Sequence, residues 1–315
     1  MCTLGNSYAQ LFLDGISMCC PAWNSGGIIP LNGRTYKEAW ESEDFCKIYC
    51  FDSCPRKKAE GIWYSSNRKL RRVMIAFDET CNIRCQTCRN CIIRTDPVEI
   101  SKRLLDLEQS FGNTLQALEL CGSGDPIASP TIRKWLSSLT EEQFPQLNQI
   151  YLQTNGLLFN RSFWNGLSPF VKTRLSKVIV SIDAACQETY EKIRRGGKWD
   201  TLQKSLKFIS SLPEIPNLAF CFVVQRDNYK EIVDFYDMCK GFAGNKPFEV
   251  LYQQVQLWGD RISEKEFERQ NIFASTDQEE LQELGRQLRE VRKRRGTLLQ
   301  ITDMPQVPLN KLKLV

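Results

Sequence analysis

Strand-like and helix-like runs alternate along the chain from about residue 70 to residue 260. The strand candidates are 71–77, 116–121, 148–153, 177–182, 218–225 and 248–257. Helical spacing replaces them at 99–111, 130–139, 188–194, 199–212 and 229–240, and a longer helix is expected at 277–294. Strands joined through helices must lie parallel, because each connection has to carry the chain back to the starting edge of the sheet. The expected fold class is therefore α/β: a partial (β/α)6 TIM-like barrel over residues 69–262. Residues 1–68 are rich in Gly, Asn and Cys and poor in aliphatic side chains. They are expected as a small N-terminal cysteine-rich, cluster-binding module, because so thin a core needs a metal staple. Residues 263–315 are expected as a C-terminal helix followed by an extended tail.

Alternation along the strands says what the barrel holds. Side chains switch faces with period two. Leu118 and Leu120 oppose Glu119 and Cys121, and Ile150 and Leu152 oppose Tyr151 and Gln153. In the sixth strand Leu251, Val255 and Leu257 oppose Tyr252, Gln254 and Gln256. A closed barrel is lined by branched apolar residues. One polar face on several strands fits an open barrel around a polar ligand, with Gln254 and Gln256 turned towards it.

The chain of 315 residues has no histidine and 14 cysteines. That excludes His-based triads, His metal ligands and imidazole acid–base chemistry. Met1 to Pro21 lacks the basic start and apolar run of a signal peptide, and no segment is apolar enough to span a bilayer. A cytoplasmic chain with clustered cysteines points to metal or redox chemistry rather than disulfides. The net charge of +5 is mild. Arg286, Arg289, Arg292, Lys293, Arg294 and Arg295 read as a solvated helix face, so neither a nucleic acid nor a membrane is expected as a partner.

Cys81-Asn82-Ile83-Arg84-Cys85-Gln86-Thr87-Cys88 follows the first of these strands. Three thiols on one short loop suit zinc or an iron–sulfur cluster and not magnesium or calcium. The spacing C-x3-C-x2-C differs from the C-x2-C pairs of zinc ribbons and ferredoxins. Cys91 could supply a fourth thiolate and close the site. A second set, Cys20, Cys46, Cys50 and Cys54, with Cys19 as a substitute for Cys20, reads either as ligands of a further cluster or as a structural zinc knob.

The loop resembles that of the radical S-adenosylmethionine (radical SAM) superfamily, in which three cysteines hold a 4Fe–4S cluster and SAM ligates the fourth iron. Thr87 departs from the aromatic residue often found there. Strand ends further along match the superfamily in order, and the resemblance implies their roles. Gly122-Ser123-Gly124-Asp125-Pro126 looks like the glycine-rich strip beside the SAM methionine amine, with Asp125 where Glu is usual. Asn155, Ser181, Asp183 and Gln225 fall where the ribose, the adenine and the substrate lie. Arg194 matches an arginine that pairs with the SAM carboxylate, a task for a fixed charged fork. The N-terminal cysteines resemble a SPASM/twitch auxiliary module, although that module usually follows the barrel.

The resemblance implies a radical SAM oxidoreductase that cleaves SAM reductively to a 5′-deoxyadenosyl radical and abstracts a hydrogen from a substrate carbon. Its cofactors are then a 4Fe–4S cluster, SAM and an auxiliary iron–sulfur cluster. A reductant such as flavodoxin or ferredoxin is implied as partner. The expected substrate is a peptide, with a separate peptide-recognition protein as a further partner, since this chain shows no such domain. The alternatives are dehydrogenation or epimerisation of an amino sugar or cyclitol, and a non-catalytic four-cysteine zinc or electron-transfer protein. Cys121 and Cys221 are the candidate hydrogen-atom donors, opposed by the plainer reading of buried structural thiols.

Overall fold

In a computed structural model, the structure describes residues 7–18, 26–44, 69–121, 123–257 and 262–300. The chain divides into two compact units, one of residues 1–81, 93–153 and 162–176, the other of 82–92, 154–161 and 177–315. Among the described residues no helix is long and apolar enough to cross a membrane.

The first unit is built on β4 (Arg72–Ile75), β5 (Ala117–Leu120) and β6 (Gln149–Thr154, apart from its last residue). These strands are parallel, with Val73 opposite Leu118 and Leu118 opposite Ile150. The crossovers are α2 (Pro97–Phe111) and α3 (Pro130–Ser138). Each helix starts on a side chain that accepts an amide N–H ahead of a proline, which has no amide hydrogen to lose: Asp96 before Pro97, and Ser129 before Pro130. The same device opens α5 (Pro169–Arg174) at Ser168, after α4 (Arg161–Gly166). Val73, Ile75, Leu118, Leu120, Ile150 and Leu152 are buried, as are Ile100, Leu104, Leu107 and Leu136 of the two helices. Each contributes about 1.5–3 kcal/mol of transfer free energy.

The described part of the N-terminal segment joins this sheet. Strand β1 (Tyr8–Leu11) runs parallel to β4, with Tyr8 opposite Arg72, β2 (Gly15–Ser17) pairs antiparallel with β1, and β3 (Ile29–Pro30) pairs antiparallel with β2. The order in this unit is β3-β2-β1-β4-β5-β6. Helix α1 (Tyr36–Glu41) is set by a capping box between Thr35 and Glu38. Its Tyr36 is fully buried, donates to Phe12 O at 2.6 Å and stacks on Phe77. Residues 7–18 therefore extend the sheet, their apolar positions being satisfied at the edge of β4.

The second unit contains β7 (Leu175–Ser181, apart from its first two residues), β8 (Leu218–Val224), β9 (Phe248–Gln254) and β10 (Thr297–Gln300), all parallel and in that order. Helices α6 (Gln187–Ile193), α7 (Trp199–Ser211), α8 (Ile232–Ala243), α9 (Glu264–Gln270) and α10 (Gln278–Arg292) connect them. Six successive strands, β4 to β9, are each followed by helix, as the alternation predicts. Strand β10 lies inside the stretch expected as helix and tail.

One expectation about the barrel is corrected. Tyr252 and Gln254 lie on the buried side of β9, where Tyr252 meets Phe222 and Phe235 and donates to Ile232 O of α8 at 2.8 Å. That face looks at the helix. The opposite face carries Glu249, Leu251 and Gln253, with Glu249 taking an ion pair from Lys177 at 2.7 Å. The phenol misled the face assignment, because a tyrosine with a backbone acceptor packs as core. In the first unit the expected faces hold. Glu119 accepts from Tyr8 and pairs with Arg72, whose guanidinium lies 4.7 Å from the Tyr151 ring centroid.

Candidate active site

In the second unit the cysteine loop is fastened along the turn that follows α6. Arg84 N donates to Arg195 O at 3.1 Å, and Gln86 N to Ile193 O at 2.8 Å. The Cys85 carbonyl then accepts from both Cys88 N (3.1 Å) and Arg89 N (3.2 Å). That single turn is why two intervening residues suffice between these cysteines. Cys85 is buried, Cys88 is half-buried and Cys91 is exposed, and none of the three forms a disulfide. Gln86, Thr87 and Arg89 are also buried, so the position that departs from the superfamily, Thr87, sits in the packed part of the loop.

Arg194 ends α6 and reaches back to this loop. Its Nη1 donates to Cys85 Sγ at 3.3 Å and its Nη2 pairs with Asp183 Oδ2 at 2.7 Å, both side chains being buried. Asp183 follows β7 with φ 65°, a left-handed conformation that costs a non-glycine residue. It is held there from two sides: Val223 N donates to its Oδ1 at 2.8 Å, and Asn228 Nδ2 donates to its carbonyl at 2.9 Å. Asn228 Oδ1 in turn accepts from Gln225 N at 2.8 Å. A continuous chain of polar contacts thus runs Cys85–Arg194–Asp183–Asn228–Gln225. Burial works against the charge on Arg194, but Asp183 and Cys85 more than offset it and keep the guanidinium protonated. Burial pushes the Asp183 carboxyl up against the pull of Arg194 and the Val223 amide.

Further groups in this unit join the loop. Asn155 Nδ2 donates to Asn82 Oδ1 at 2.8 Å, and its Oδ1 accepts from Leu157 N, so Asn155-Gly156 is both a turn and a support. Gln86 Nε2 donates to Asp227 Oδ2 at 2.7 Å, a contact that the sequence reading did not single out. The polar run Gln225-Arg226-Asp227-Asn228 directly after β8 is the signal that could have found it. Ser181 hydrogen-bonds the Cys221 thiol, which burial, aided by the charge of Asp183, pushes up to about 12.

In the first unit Cys81 is half-buried, and its amide donates to Ile93 O at 3.2 Å. Asp125 N donates to Thr80 O at 2.8 Å, and Asp125 Oδ1 accepts from Ile127 N, so part of this carboxylate caps its own turn. A Cβ on Gly124 would come within 2.5 Å of Thr80 O and 2.6 Å of Asp78 O. The close approach that requires this glycine is thus to the backbone of 78–80. Asp78 Oδ2 is buried without a hydrogen-bond partner. Ser123 and Cys121 are half-buried. Gly122 and the cysteines Cys19, Cys20, Cys46, Cys50 and Cys54 lie outside the described residues. Among the described residues no three Cys, Asp or Glu side chains converge as ligands of a single ion.

Comparison with known proteins bears on this arrangement. No family model matches the chain. It is 25% identical over 208 residues to molybdenum cofactor biosynthesis protein 1 of Drosophila melanogaster, covering 62% of this chain and 34% of that protein. It is 24% identical over 206 residues to the GTP 3′,8-cyclase of Syntrophomonas wolfei subsp. wolfei, covering 62% of this chain and 58% of that protein. Set beside the C-x3-C-x2-C loop behind β4 and the βα order that follows it, these relatives support the resemblance to the radical SAM superfamily. The chain spans about a third to just under three fifths of these two relatives. Among solved structures, TYW1 with a lysine-pyruvate adduct bound aligns at TM-score 0.40 and 15% identity, over 70% of this chain and 71% of that one. HydG, a maturase of the FeFe-hydrogenase, aligns at 0.43 and 12%, over 78% and 55%. Scores this low carry no argument.

A radical SAM enzyme takes a 4Fe–4S cluster and SAM, and the surroundings of Cys85 and Gln225 suit these two groups. A buried cation donating to Cys85 favours the thiolate that iron requires. Gln225 is fully buried with neither end of its amide hydrogen-bonded. Leaving such a group unpaired costs about 1–3 kcal/mol, which a polar ligand would relieve.

Proposed function

We propose that this chain is a radical SAM enzyme that cleaves SAM reductively and abstracts a hydrogen atom from a carbon of a polar substrate. The observation that carries the reading is the contact chain from Cys85 through Arg194 and Asp183 to Asn228, which ties a thiol of the cysteine loop to the carboxyl ends of β7 and β8. When bound, the cluster and SAM supply the electron transfer and the carbon radical. The protein's share is to bind and orient. Cys81, Cys85 and Cys88 hold the iron, and Ser123, Gly124, Asp125, Asn155, Ser181, Asp183 and Gln225 are assigned to SAM and the substrate. Gly122 belongs with the same strip by sequence alone. Arg194 is largely committed to Asp183 and Cys85, with its buried Nε left without a hydrogen bond.

Cys221 suits a hydrogen-atom donor, because burial keeps it as the S–H form beside Ser181. Cys121 is the corresponding candidate in the first unit. The reductant is an external one-electron donor of the flavodoxin or ferredoxin type. The peptide reading and the auxiliary cluster both rest on Cys20, Cys46, Cys50 and Cys54. The name of the relative GTP 3′,8-cyclase favours a purine nucleotide instead, and makes GTP the first compound to offer.

The test is anaerobic: protein loaded with iron and sulfide, reduced with dithionite, and given SAM. Formation of 5′-deoxyadenosine that disappears in Cys85→Ala supports the proposal. A fully loaded protein that forms none refutes it. Faster formation with GTP than with candidate peptides would assign the substrate class.

A further inference from the structure

Resting on the radical SAM reading, we infer that Arg194 sets the reduction potential of the cluster through Cys85, with Asp183 as the counter-charge that holds it in place. The guanidinium spans two acceptors at once, Cys85 Sγ at 3.3 Å and Asp183 Oδ2 at 2.7 Å. A planar fork reaches both, whereas a lysine ammonium on a flexible stem reaches one or the other. The position is over-determined. Asp183 keeps φ 65° only because Val223 N and Asn228 Nδ2 bind its carboxylate and its carbonyl.

The direction of the effect follows from charge. Reduction adds one electron, hence one negative charge, to a cluster whose sulfurs carry much of it. A hydrogen bond to a ligand sulfur stabilises that added charge and raises the potential. The N–H donor touches the sulfur directly, while the Asp183 carboxylate stands behind it, so the cation prevails at Cys85. Screening by salt is weak at a buried pair. Removing Arg194 therefore acts twice, taking away the donor and leaving the Asp183 charge bare. Removing the Asp183 charge acts the other way.

The experiment is a dye-mediated redox titration of the loaded full chain without SAM, followed by electron paramagnetic resonance. Iron content and the SAM dissociation constant are measured on the same samples. Arg194→Gln is expected to lower the reduced-to-oxidised ratio at fixed potential at least tenfold, about 59 mV for a one-electron couple. Arg194→Lys is expected between wild type and Arg194→Gln, and Asp183→Asn is expected to shift upward. A midpoint unchanged in loaded Arg194→Gln overturns the inference, as does a shift of the same sign in Asp183→Asn. If Arg194→Gln holds no iron, Arg194→Lys and Asp183→Asn decide, and two unchanged midpoints overturn it. Weaker SAM binding at an unchanged midpoint assigns Arg194 to SAM and also overturns it. A wild type that loads no SAM-responsive cluster defeats the superfamily reading itself, a distinct result.

Discussion

Gln86, the residue directly after Cys85, donates from Nε2 to Asp227 Oδ2 at 2.7 Å. The same carboxylate takes Gln270 Nε2 at 2.8 Å and Lys192 Nζ at 3.0 Å. Gln270 closes α9 and is fully buried, so one aspartate fastens the cysteine loop, the end of α6 and α9 of this unit together. Hydrogen bonds to a charged group contribute about 1.5–3 kcal/mol, well above an exposed ion pair. Asp227→Ala should therefore destabilise the unloaded protein by about 2–3 kcal/mol. Asp227→Asn, which still accepts one of the two amides, should lose about half of that. Chemical denaturation of the metal-free chain measures both, and equal stability for Asp227→Ala and wild type would show that the clamp is idle.

Gly124 and Gly166 separate two reasons for a glycine. A Cβ at Gly124 would meet the carbonyl oxygens of Thr80 and Asp78 at 2.5 and 2.6 Å, and backbone cannot swing aside as a side chain can. At Gly166, the last residue of α4, a Cβ would meet nothing within 4 Å. Gly124→Ala should cost about 1–3 kcal/mol. Gly166→Ala should be neutral, or gain up to about 1 kcal/mol from the entropy glycine loses in a helix. Melting curves should place Gly124→Ala below wild type and Gly166→Ala at or above it.

Tyr252 and Gln254 test the corrected face of β9. The Tyr252 hydroxyl is buried and donates to Ile232 O, so Tyr252→Phe leaves a carbonyl short and should cost about 1 kcal/mol. Gln254 is buried with Oε1 unpartnered, so Gln254→Met removes a polar burden and should be neutral or stabilising. If the Gln254→Met protein instead lost SAM or substrate binding while its melting point held, the side chain would belong to the ligand after all.

The strands, and the helices between them, were legible because apolar spacing records burial on one face, and a helix-length gap forces parallel pairing. Strands β4 to β9 lie within a few residues of the runs read from spacing. Strands β1 to β3 were not, because four, three and two residues are too few to show a period. The identity of a face was harder than its existence. Leu118 and Leu120 declared the buried side of β5, but Tyr252 looked polar until its partner on α8 was known. At the site, Cys81, Cys85 and Cys88 announce themselves by spacing. The partners Cys85 of Arg194 and Asp227 of Gln86 lie 109 and 141 residues away along the chain, and only folding brings them together.

The Cys221 thiol gives stability a pH dependence whose sign can be worked out. Burial, then the Asp183 charge, pushes it up to about 12, whereas an exposed thiol titrates near 8.5. Between those values the unfolded chain has released a proton that the folded chain still holds. Stability must then fall as pH rises, by about 1.4 kcal/mol per pH unit from this group. Cys221→Val should lose that slope, so the difference between variant and wild type should change in the variant's favour from pH 9 to pH 10.5. Parallel curves would mean that the thiol is not held neutral. Alkylation offers a second check: exposed Cys91 and Cys186 should react in the native protein, and buried Cys221 and Cys239 only on unfolding.

Iron counting bears on the N-terminal cysteines. A cluster on Cys81, Cys85 and Cys88 draws its protein ligands from the loop alone, so replacing all three with Ala should empty that site and no other. If Cys20, Cys46, Cys50 and Cys54 hold a further 4Fe–4S cluster, the triple variant should retain about four irons per chain after reconstitution. Zinc in place of iron would support the structural-knob reading of the same four residues. Retention of neither metal would leave the segment without a staple. Its thin aliphatic content would then have to be balanced by packing such as that of Tyr36 against Phe77, and the same variant should show no added loss of stability on treatment with a chelator.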